Sequence, residues 1–456
     1  MPQGPLTAQR VFVISDLHLG GSPPTMMSTP ERLARFIDSL PARLQPDETL
    51  ELVIAGDFVD FLAVAPFQSW TVDRHQALTK LQQVMTDAAF GIVFSSLGKL
   101  VASGAGLTVL IGNHDLEMAL PALQRFFLER LDATPHQVSF VDDGHAYRLG
   151  RMLIEHGNRY DGANENDWTN LRIIASAQSR MEDSPVELRA SAGSWLVERV
   201  VSPLKARYPF IDLLQPQGEM VALLLAAFEP GLILDLPQMA RVLRAQRLQS
   251  INLSGSQPGR THAVAARDLT AAPDPELARV FGEAYQALRR PREEVALSDV
   301  LLAAWNSRRD GLAALFDKGE DIPRAQLDQV RVAMKKLLLD DTSDRPDGDT
   351  EQYGAAARRL IESSDGEVEL VVMGHTHLPR HTGPPRLATY INTGTWADVV
   401  RVPSELLEDG DDKALQDFLR ELRGGGIRST PATYADVRLE REGHVHSAFL
   451  AKAEGV

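Results

Sequence analysis

The chain has 456 residues, of which 47 are Lys or Arg and 62 are Asp or Glu, so its formal net charge is −15, and it contains no cysteine. The absence of thiols excludes disulfides, thiolate metal sites and a cysteine nucleophile, so any metal ion must be held by nitrogen and oxygen. The acidic balance disfavours a general nucleic-acid clamp, because non-specific affinity for a phosphate backbone comes mostly from Lys and Arg.

The composition is that of a globular chain with a large core. Hydrophobic residues make up 44% of the sequence and charged residues 24%, which excludes global disorder. The longest apolar stretch, Met220–Phe228, has nine residues, whereas ~20 are needed to span a bilayer. The first ten residues have no apolar segment of signal-peptide length. We therefore expect a soluble, cytoplasmic protein, and peripheral membrane contact stays open.

Within residues 1–160, short apolar runs alternate with helical spacing. The apolar runs are Val11–Ser15, Leu50–Ala55, Leu107–Ile111 and Arg151–Glu155. Their length and their content of Val, Ile and Leu predict buried strands. Helical spacing is found between them in Glu31–Leu40 and Arg74–Gly98. The alternation predicts an α/β sheet whose functional residues follow the carboxyl ends of the strands.

The pattern changes between residues 161 and 365, where amphipathic helical segments replace the apolar runs. These segments are Val186–Val201, Met220–Phe228, Gln238–Gln249, Pro275–Leu288, Leu297–Phe316 and Ala325–Leu339. Strand-like runs return at Val368–Met373 and Ala388–Asn392, and Tyr434–Leu439 and His444–Leu450 predict a hairpin. We predict a discontinuous catalytic domain, residues 1–160 and 366–456, interrupted by an all-helical insertion over residues 161–365.

Residues that can bind metals or move protons directly follow five of the strand-like runs. They are Asp16 and His18, Asp57 and Asp60, Asn113 and His114, His156, and His375 and His377. One such residue is weak evidence, because a single His near a strand is more often structural. Together they form a set of carboxylate, amide and imidazole ligands at one edge of a sheet. Such a set suits two metal ions with a bridging carboxylate and a bridging hydroxide that attacks phosphorus in line.

The segments that carry these residues resemble the five signature blocks of the calcineurin-like metallophosphoesterases. The blocks are Asp16–His18, Gly56–Asp60, Gly112–Asp115, His156–Gly157 and Gly374–His377. Ile391–Trp396 resembles the strand that follows the last block. The resemblance implies a sandwich of two β-sheets flanked by helices.

The resemblance also implies a role for each residue. Asp16, His18 and His377 would hold the first metal ion, Asn113, His156 and His375 would hold the second, and Asp57 would bridge them. His114 matches the histidine that contacts the phosphate and protonates the leaving oxygen, and Asp60 matches the carboxylate that orients it. Two divalent ions are expected. Mn²⁺ is favoured, and Fe, Zn and Mg also fit nitrogen and oxygen ligands.

Residues next to the signature blocks indicate which branch of the metallophosphoesterases the sequence resembles. Phe61 and Asp115 stand where the Ser/Thr protein phosphatases have Arg and Glu, which disfavours that branch. The polar run after His156 is similar to that of bacterial UDP-diacylglucosamine pyrophosphohydrolases. Asn158 and Arg159 are candidates for substrate-phosphate contacts, the alternative being a loop held by its own hydrogen bonds. Asp115 is either a partner behind the ligands or a helix N-cap.

The predicted insertion contains a basic stretch between residues 237 and 267 with no acidic residue. Its arginines are Arg241, Arg244, Arg247, Arg260 and Arg267. The spacing of Arg241 and Arg244 places them on one helix face. They would bind substrate phosphates or an anionic membrane surface, or form an ordinary solvated face. Because both ends of the insertion adjoin candidate ligands, we predict that it is a cap.

The predicted function is metal-dependent hydrolysis of a phosphomonoester, phosphodiester or pyrophosphate bond. The expected substrate is a phosphorylated small molecule or a lipid-nucleotide. A DNA or RNA phosphodiesterase is the alternative, although the net charge disfavours nucleic acid. A non-catalytic metal-binding scaffold fits less well, because every ligand position and both proton-transfer positions hold suitable residues.

Overall fold

A computed structural model describes residues 8–64, 70–161, 164–188, 208–215, 312–328, 352–407 and 411–453, with isolated residues between 191 and 334. The predicted helical segments Met220–Phe228, Gln238–Gln249 and Pro275–Leu288 lie outside the described residues, as does the basic stretch with Arg241 and Arg244. The described chain forms two compact units. The first comprises residues 1–190, 345–398 and 429–456, and the second comprises residues 191–344 and 399–428.

The first unit contains a six-stranded mixed sheet. Its strands are β1 (Ala8–Ile14), β2 (Glu48–Ala55), β3 (Gly106–Leu110), β4 (Val138–Val141), β12 (Thr433–Leu439) and β13 (Val445–Lys452). Their order across the sheet is β13-β12-β1-β2-β3-β4. Strands β1 to β4 are parallel, so their carboxyl ends lie along one edge. The hairpin β12–β13 adds to β1 in antiparallel orientation.

A second, five-stranded sheet completes the β-structure of this unit. Its strands are β5 (Tyr147–Leu149), β6 (Met152–Ile154), β8 (Leu370–Met373), β9 (Pro379–Thr382) and β10 (Tyr390–Thr393). Their order is β5-β6-β8-β10-β9. The three central strands are parallel and the two edge strands are antiparallel to their neighbours. Residues 152–154 and 370–372 therefore pair directly although they are far apart in the chain.

The alternation of side chains along β1 divides the core. Val11 and Val13 pack with Ile154 and Val372 in a cluster built from both sheets. Phe12 and Ile14 point to the other face and pack in a cluster that also contains helical side chains. This is the period-2 pattern of a strand that is buried on both faces. The predicted α/β fold, with sheets and flanking helices, is confirmed for the described residues.

Five helices accompany the first sheet along the chain. They are α1 (Pro30–Ser39), α2 (Arg74–Thr86), α3 (Gly91–Ala102), α4 (Pro121–Leu131) and α5 (Trp168–Ser179). The side chain of Asp73 caps α2 by accepting from the backbone of His75 and Gln76 at 2.9 Å each. A further helix, α7 (Gln352–Glu362), packs on the second sheet through Tyr353 and Ala357.

The second unit contains described elements of both types. Strands β7 (Leu214–Gln215) and β11 (Val400–Arg401) pair in parallel, and helices α6 (Leu312–Asp317) and α8 (Asp412–Gly424) lie in the same unit. Arg331, which is 4% exposed, donates to Asp412 over 2.7 Å. The all-helical character of the insertion and its boundaries at residues 161 and 365 stay predictions.

A helix that crosses a bilayer must be long and apolar. In the described part of the chain, no single helix is both long and apolar enough for this. Helices α2 and α3 meet the criterion only as a pair, and the chain bends by 88° between them. Both contribute buried side chains such as Leu81 and Val93 to the core of the first unit.

Candidate metal centre

The candidate ligands lie on loops that leave the carboxyl ends of five strands. Asp16 and His18 follow β1, Asp57 follows β2, Asn113 follows β3, His156 follows β6, and His375 and His377 follow β8. Backbone hydrogen bonds join neighbouring loops. Leu17 N donates to Asp57 O over 2.9 Å, and Gly374 N donates to His156 O over 2.9 Å. The parallel strands of both sheets therefore deliver these side chains to one place.

The backbone at these positions is unusual. Five of the predicted ligands adopt a positive φ, namely Asp16 (54°), His18 (46°), Asp57 (51°), His375 (71°) and His377 (58°). Residues with a side chain rarely occupy this region, and the free energy cost is of order 1–3 kcal/mol each. Strained backbone of this kind concentrates at functional sites, where the surrounding structure holds it in place.

The first group of ligand atoms comes from Asp16, His18 and His377, all buried, and these atoms lie within 4.8 Å of one another. Oδ1 of Asp16 is 3.3 Å from Nε2 of His377. The Nε2 atoms of His18 and His377 are 3.0 Å apart. Three donors that face one another at these distances leave room for a shared cation between them.

The second group comes from Asp57, His156 and His375, again with ligand atoms within 4.8 Å of one another. Nε2 of His156 is 3.3 Å from Oδ1 of Asn113. Nδ1 of His156 lies 2.8 Å from the carbonyl oxygen of Ala55. Because a carbonyl only accepts, Nδ1 carries the hydrogen, and the lone pair of Nε2 faces the other ligands.

Asp57 lies between the two groups. Its Oδ2 atom is 3.3 Å from Nε2 of His156 and 3.8 Å from Nε2 of His18. A third set of neighbouring ligand atoms, from His18, Asp57 and His114, overlaps both groups. Burial raises the pKa of Asp57, but the neighbouring imidazoles of His156 and His114 outweigh burial and hold it well below its usual value. Asp57 is therefore ionised, and its carboxylate faces histidines of both groups.

Three glycines show how closely the loops approach these ligands. A Cβ atom on Gly112 would lie 2.1 Å from Oδ1 of Asp57, and one on Gly56 would lie 2.4 Å from Nδ1 of His156. A Cβ atom on Gly374 would lie 2.5 Å from Oδ2 of Asp16. Glycine is required at such approaches because any side chain would displace a ligand.

The donor set fits divalent metal ions. It contains carboxylate, amide and imidazole groups without thiolates, as expected for Mn, Mg, Fe or Zn. Asp16 and Asp57 are 0% and 2% exposed, and buried carboxylates require a positive partner. In the described residues, the lysine and arginine ion pairs lie elsewhere, and the partners of both carboxylates are histidines. The residues therefore fit the divalent metal ions that the sequence predicts.

His114 lies at the edge of the centre beside Asp60. Its Nδ1 atom is 3.0 Å from Oδ1 of Asp60, and its side chain is 16% exposed whereas that of Asp60 is 6% exposed. Burial lowers the pKa of His114, but the carboxylates of Asp57 and Asp60 outweigh it and raise the pKa to about 9. The imidazole is thus protonated near neutral pH and more accessible than its partner.

Asp115 holds two of the ligand loops together. Its Oδ1 atom accepts from the backbone N–H of Gly112 over 2.6 Å, and its Oδ2 atom accepts from that of Phe58 over 2.7 Å. It makes no capping bond to the 3-10 helix that follows it. Of the two roles predicted from the sequence, the bonds favour a partner behind the ligands over an N-cap.

Asn158 and Arg159, two candidates for substrate contacts, form hydrogen bonds and ion pairs within the protein. The side chain of Asn158 is buried and donates to the carbonyl of Asn164 over 2.9 Å. The guanidinium of Arg159 lies 3.4 Å from Glu155 and donates to the carbonyl of Gly144. These bonds are those of a loop held by its own contacts. Substrate binding by Asn158, Arg159, Arg241 and Arg244 stays a prediction.

Sequence reasoning missed several residues that support the ligands. The Ser15 hydroxyl contacts the Asp16 carboxylate, and Thr395 Oγ1 donates to the Asp16 carbonyl over 2.7 Å. Nε2 of His375 lies 3.2 Å from Oδ2 of Asp161. Ser15 adjoins a predicted ligand, and Asp161 lies in the polar run after His156. Closeness to a predicted ligand in the sequence was therefore the signal that could have identified both as supporting residues.

Residues 9–211 match the family model of the calcineurin-like phosphoesterases. This chain is a metal-dependent phosphohydrolase. The matched region contains Asp16, His18, Asp57, Asn113 and His156 with the strands that carry them, so the family match supports the superfamily that the sequence resembles. A search of the curated proteins gave no match to the chain. The likeness to UDP-diacylglucosamine pyrophosphohydrolases stays a prediction.

Proposed function

We propose that this phosphohydrolase uses two divalent cations, with Mn²⁺ as the favoured ion, to cleave a phosphomonoester, phosphodiester or pyrophosphate bond. The observation that carries the proposal is the shared position of Asp57. Its Oδ2 atom faces His18 of one ligand group and His156 of the other. A carboxylate that serves two ligand groups is the feature expected of a dinuclear phosphoesterase.

Each cation has its own set of residues. Asp16, His18 and His377 hold the first, Asn113, His156 and His375 hold the second, and Asp57 contributes to both. When bound, the cations supply the Lewis acidity that polarises the phosphoryl group and activates water near neutral pH. The protein contributes the fixed geometry, since the ligands other than the half-buried His375 are buried and their loops are hydrogen-bonded to one another.

His114 supplies the proton for the leaving group. Asp60 accepts from Nδ1–H of His114, which fixes the ring and leaves Nε2–H as the acid. In the reaction, the oxygen of a water forms a bond to phosphorus, the bond from phosphorus to the leaving oxygen breaks, the proton of Nε2 passes to that oxygen, and the proton that the water loses passes to solvent. General acid catalysis of this kind contributes about 10²- to 10⁴-fold to a rate.

The test uses p-nitrophenyl phosphate as a monoester and bis-p-nitrophenyl phosphate as a diester, each with the full chain in Mn²⁺. Nucleoside diphosphate esters provide the pyrophosphate class. We expect turnover of at least one class, abolished by EDTA and restored by Mn²⁺. Failure to hydrolyse any of the three, together with a protein that binds no metal, would refute the proposal. Hydrolysis restricted to oligonucleotides, with binding that weakens steeply as salt increases, would identify a nuclease instead.

A further inference from the structure

Asp161 touches one of the candidate ligands from outside the ligand groups. Its Oδ2 atom lies 3.2 Å from Nε2 of His375. The side chains of Asp161 and His375 are 16% and 8% exposed, so the contact is largely shielded from water. A shielded contact between a carboxylate and an imidazole is a directional hydrogen bond rather than a loose surface ion pair.

This hydrogen bond determines which nitrogen of His375 can bind a cation. An ionised carboxylate only accepts hydrogen bonds, so Nε2 of His375 carries the hydrogen in the pair. The lone pair of the neutral ring is then on Nδ1, which is the remaining ligand atom. A carboxylate that holds the far nitrogen of a metal-binding histidine fixes the ring and strengthens it as a ligand.

Asp161 does not belong to the ligand groups themselves. His375 belongs to the group whose ligand atoms lie within 4.8 Å of one another, together with Asp57 and His156. In the described part of the chain, no such group of three includes Asp161. The Asp161 carboxylate therefore approaches His375 from outside that group.

The polar run after His156 holds Asp161 in place. Nδ2 of Asn164 donates to Oδ2 of Asp161 over 2.8 Å, and Asn164 N donates to Asp161 O over 2.9 Å. Nδ2 of Asn158 in turn donates to the carbonyl of Asn164. At its other end the run is fixed to a ligand loop, because Nδ2 of Asn166 donates to Gly112 O over 2.8 Å. The asparagines of this run thus have structural partners.

We propose that Asp161 is a positioning residue that holds His375 for the second cation, with Asn164 fixing the Asp161 carboxylate. The inference rests on the proposed function, because it requires two cation sites. Asn158, Asn164 and Asn166 then support the second ligand group through Asp161 and Gly112.

The experiment measures Mn²⁺ binding to the metal-free full chain by calorimetry, for the wild type, D161A, D161N and E165A. Glu165 is an exposed acid of the same loop and serves as the matched control. We expect two sites in the wild type and in E165A. In D161A one site should weaken by about 10- to 100-fold while the other keeps its affinity. D161N should weaken the same site less, because its amide oxygen can still accept from Nε2–H.

A second readout distinguishes positioning from a general structural role. At two equivalents of Mn²⁺, electron paramagnetic resonance should show a spin-coupled pair in the wild type and in E165A. In D161A it should show isolated ions, with the unfolding temperature of the metal-free protein unchanged. Two wild-type sites with unaltered affinities in D161A would overturn this inference alone, as would equal weakening of both sites. A wild type that binds a single Mn²⁺ would instead refute the dinuclear proposal on which it rests.

Discussion

Nδ1 of His114 lies 3.0 Å from Oδ1 of Asp60, and the backbone N–H of His114 donates to Oδ1 of Asp57 over 2.9 Å. The residue that we propose as the acid is therefore attached to the centre at two points. The bond to Asp57 sets its position relative to the shared ligand, and the bond to Asp60 sets the orientation of its ring. Neither bond uses Nε2.

This arrangement predicts that proton transfer and metal binding can be separated by mutation. H114A should lower kcat by about 10²- to 10⁴-fold, because it removes the general acid. Its Mn²⁺ content should stay near that of the wild type, since the ligand groups remain complete. D57A should lose both turnover and metal, because both groups share that carboxylate. Metal analysis and initial rates on the same samples check this, and equal metal loss in both variants would contradict the role of His114.

The close approach of Gly112 to Asp57 predicts that a side chain at position 112 lowers both turnover and Mn²⁺ binding. G112A places a Cβ atom 2.1 Å from Oδ1 of Asp57, so the carboxylate or its loop must move. A displacement of about 1 Å can cost about 10²-fold in rate, and we expect a loss of that size with weaker Mn²⁺ binding. Gly424 is the control, because a Cβ atom there meets no atom within 4 Å. Wild-type turnover in G112A would show that the approach is not required.

The sequence predicts the position of a ligand where that residue lies just after a strand in the chain. Asp57 directly follows Gly56 at the end of β2, and His156 comes two residues after β6, so a strand-like run and the polar residues after it suffice to place both at a sheet edge. Whether His156 meets His375 depends on the parallel pairing of β6 with β8, which brings together residues 152–154 and 370–372. The family resemblance implied a sandwich of two β-sheets flanked by helices, whereas periodicity did not.

Other features depend on contacts that leave no local pattern. The segment Arg74–Gly98 keeps helical spacing throughout, yet Asp87 is extended, with ψ of 140°, and divides it into α2 and α3. Strands β5 and β9 have three and four residues of mixed exposure, too short for a clear alternation. The bond between Asp161 and His375 joins residues 214 positions apart, so no window along the chain contains both.

The buried carboxylates of the centre predict that cation removal destabilises the fold. Asp16, Asp57 and Asp60 are 0%, 2% and 4% exposed, and a cation bound only by the folded state stabilises it by mass action. At a Mn²⁺ concentration 100 times the Kd, the stabilisation is about 2.7 kcal/mol for one site. EDTA should therefore lower the unfolding temperature of the wild type, and Mn²⁺ should restore it. D57A should show little response to either, which thermal unfolding followed by circular dichroism would reveal.

A buried acid outside the ligand groups predicts a pH dependence of stability. Glu117 is 3% exposed, and its Oε1 atom accepts from the backbone N–H of Thr71 over 2.9 Å. Burial raises its pKa to about 7, with Asp115 adding to the effect and the charge of Lys80 opposing it. The folded state thus binds this proton more tightly than the unfolded state, whose carboxyl titrates near 4.5. The stability that protonated Glu117 contributes is complete below pH 4.5 and is lost as the pH rises through 7.

Substitution by glutamine should remove this dependence, because the amide does not titrate. Relative to the wild type, the free energy of unfolding of E117Q should rise between pH 4.5 and pH 8 by an amount on the order of 3 kcal/mol at most. Urea unfolding at several pH values measures this, with E129Q, at an exposed position of α4, as the control. A wild-type-minus-E117Q difference that stays constant across that range would mean that Glu117 is already ionised in the folded protein at low pH, with Lys80 as its dominant partner.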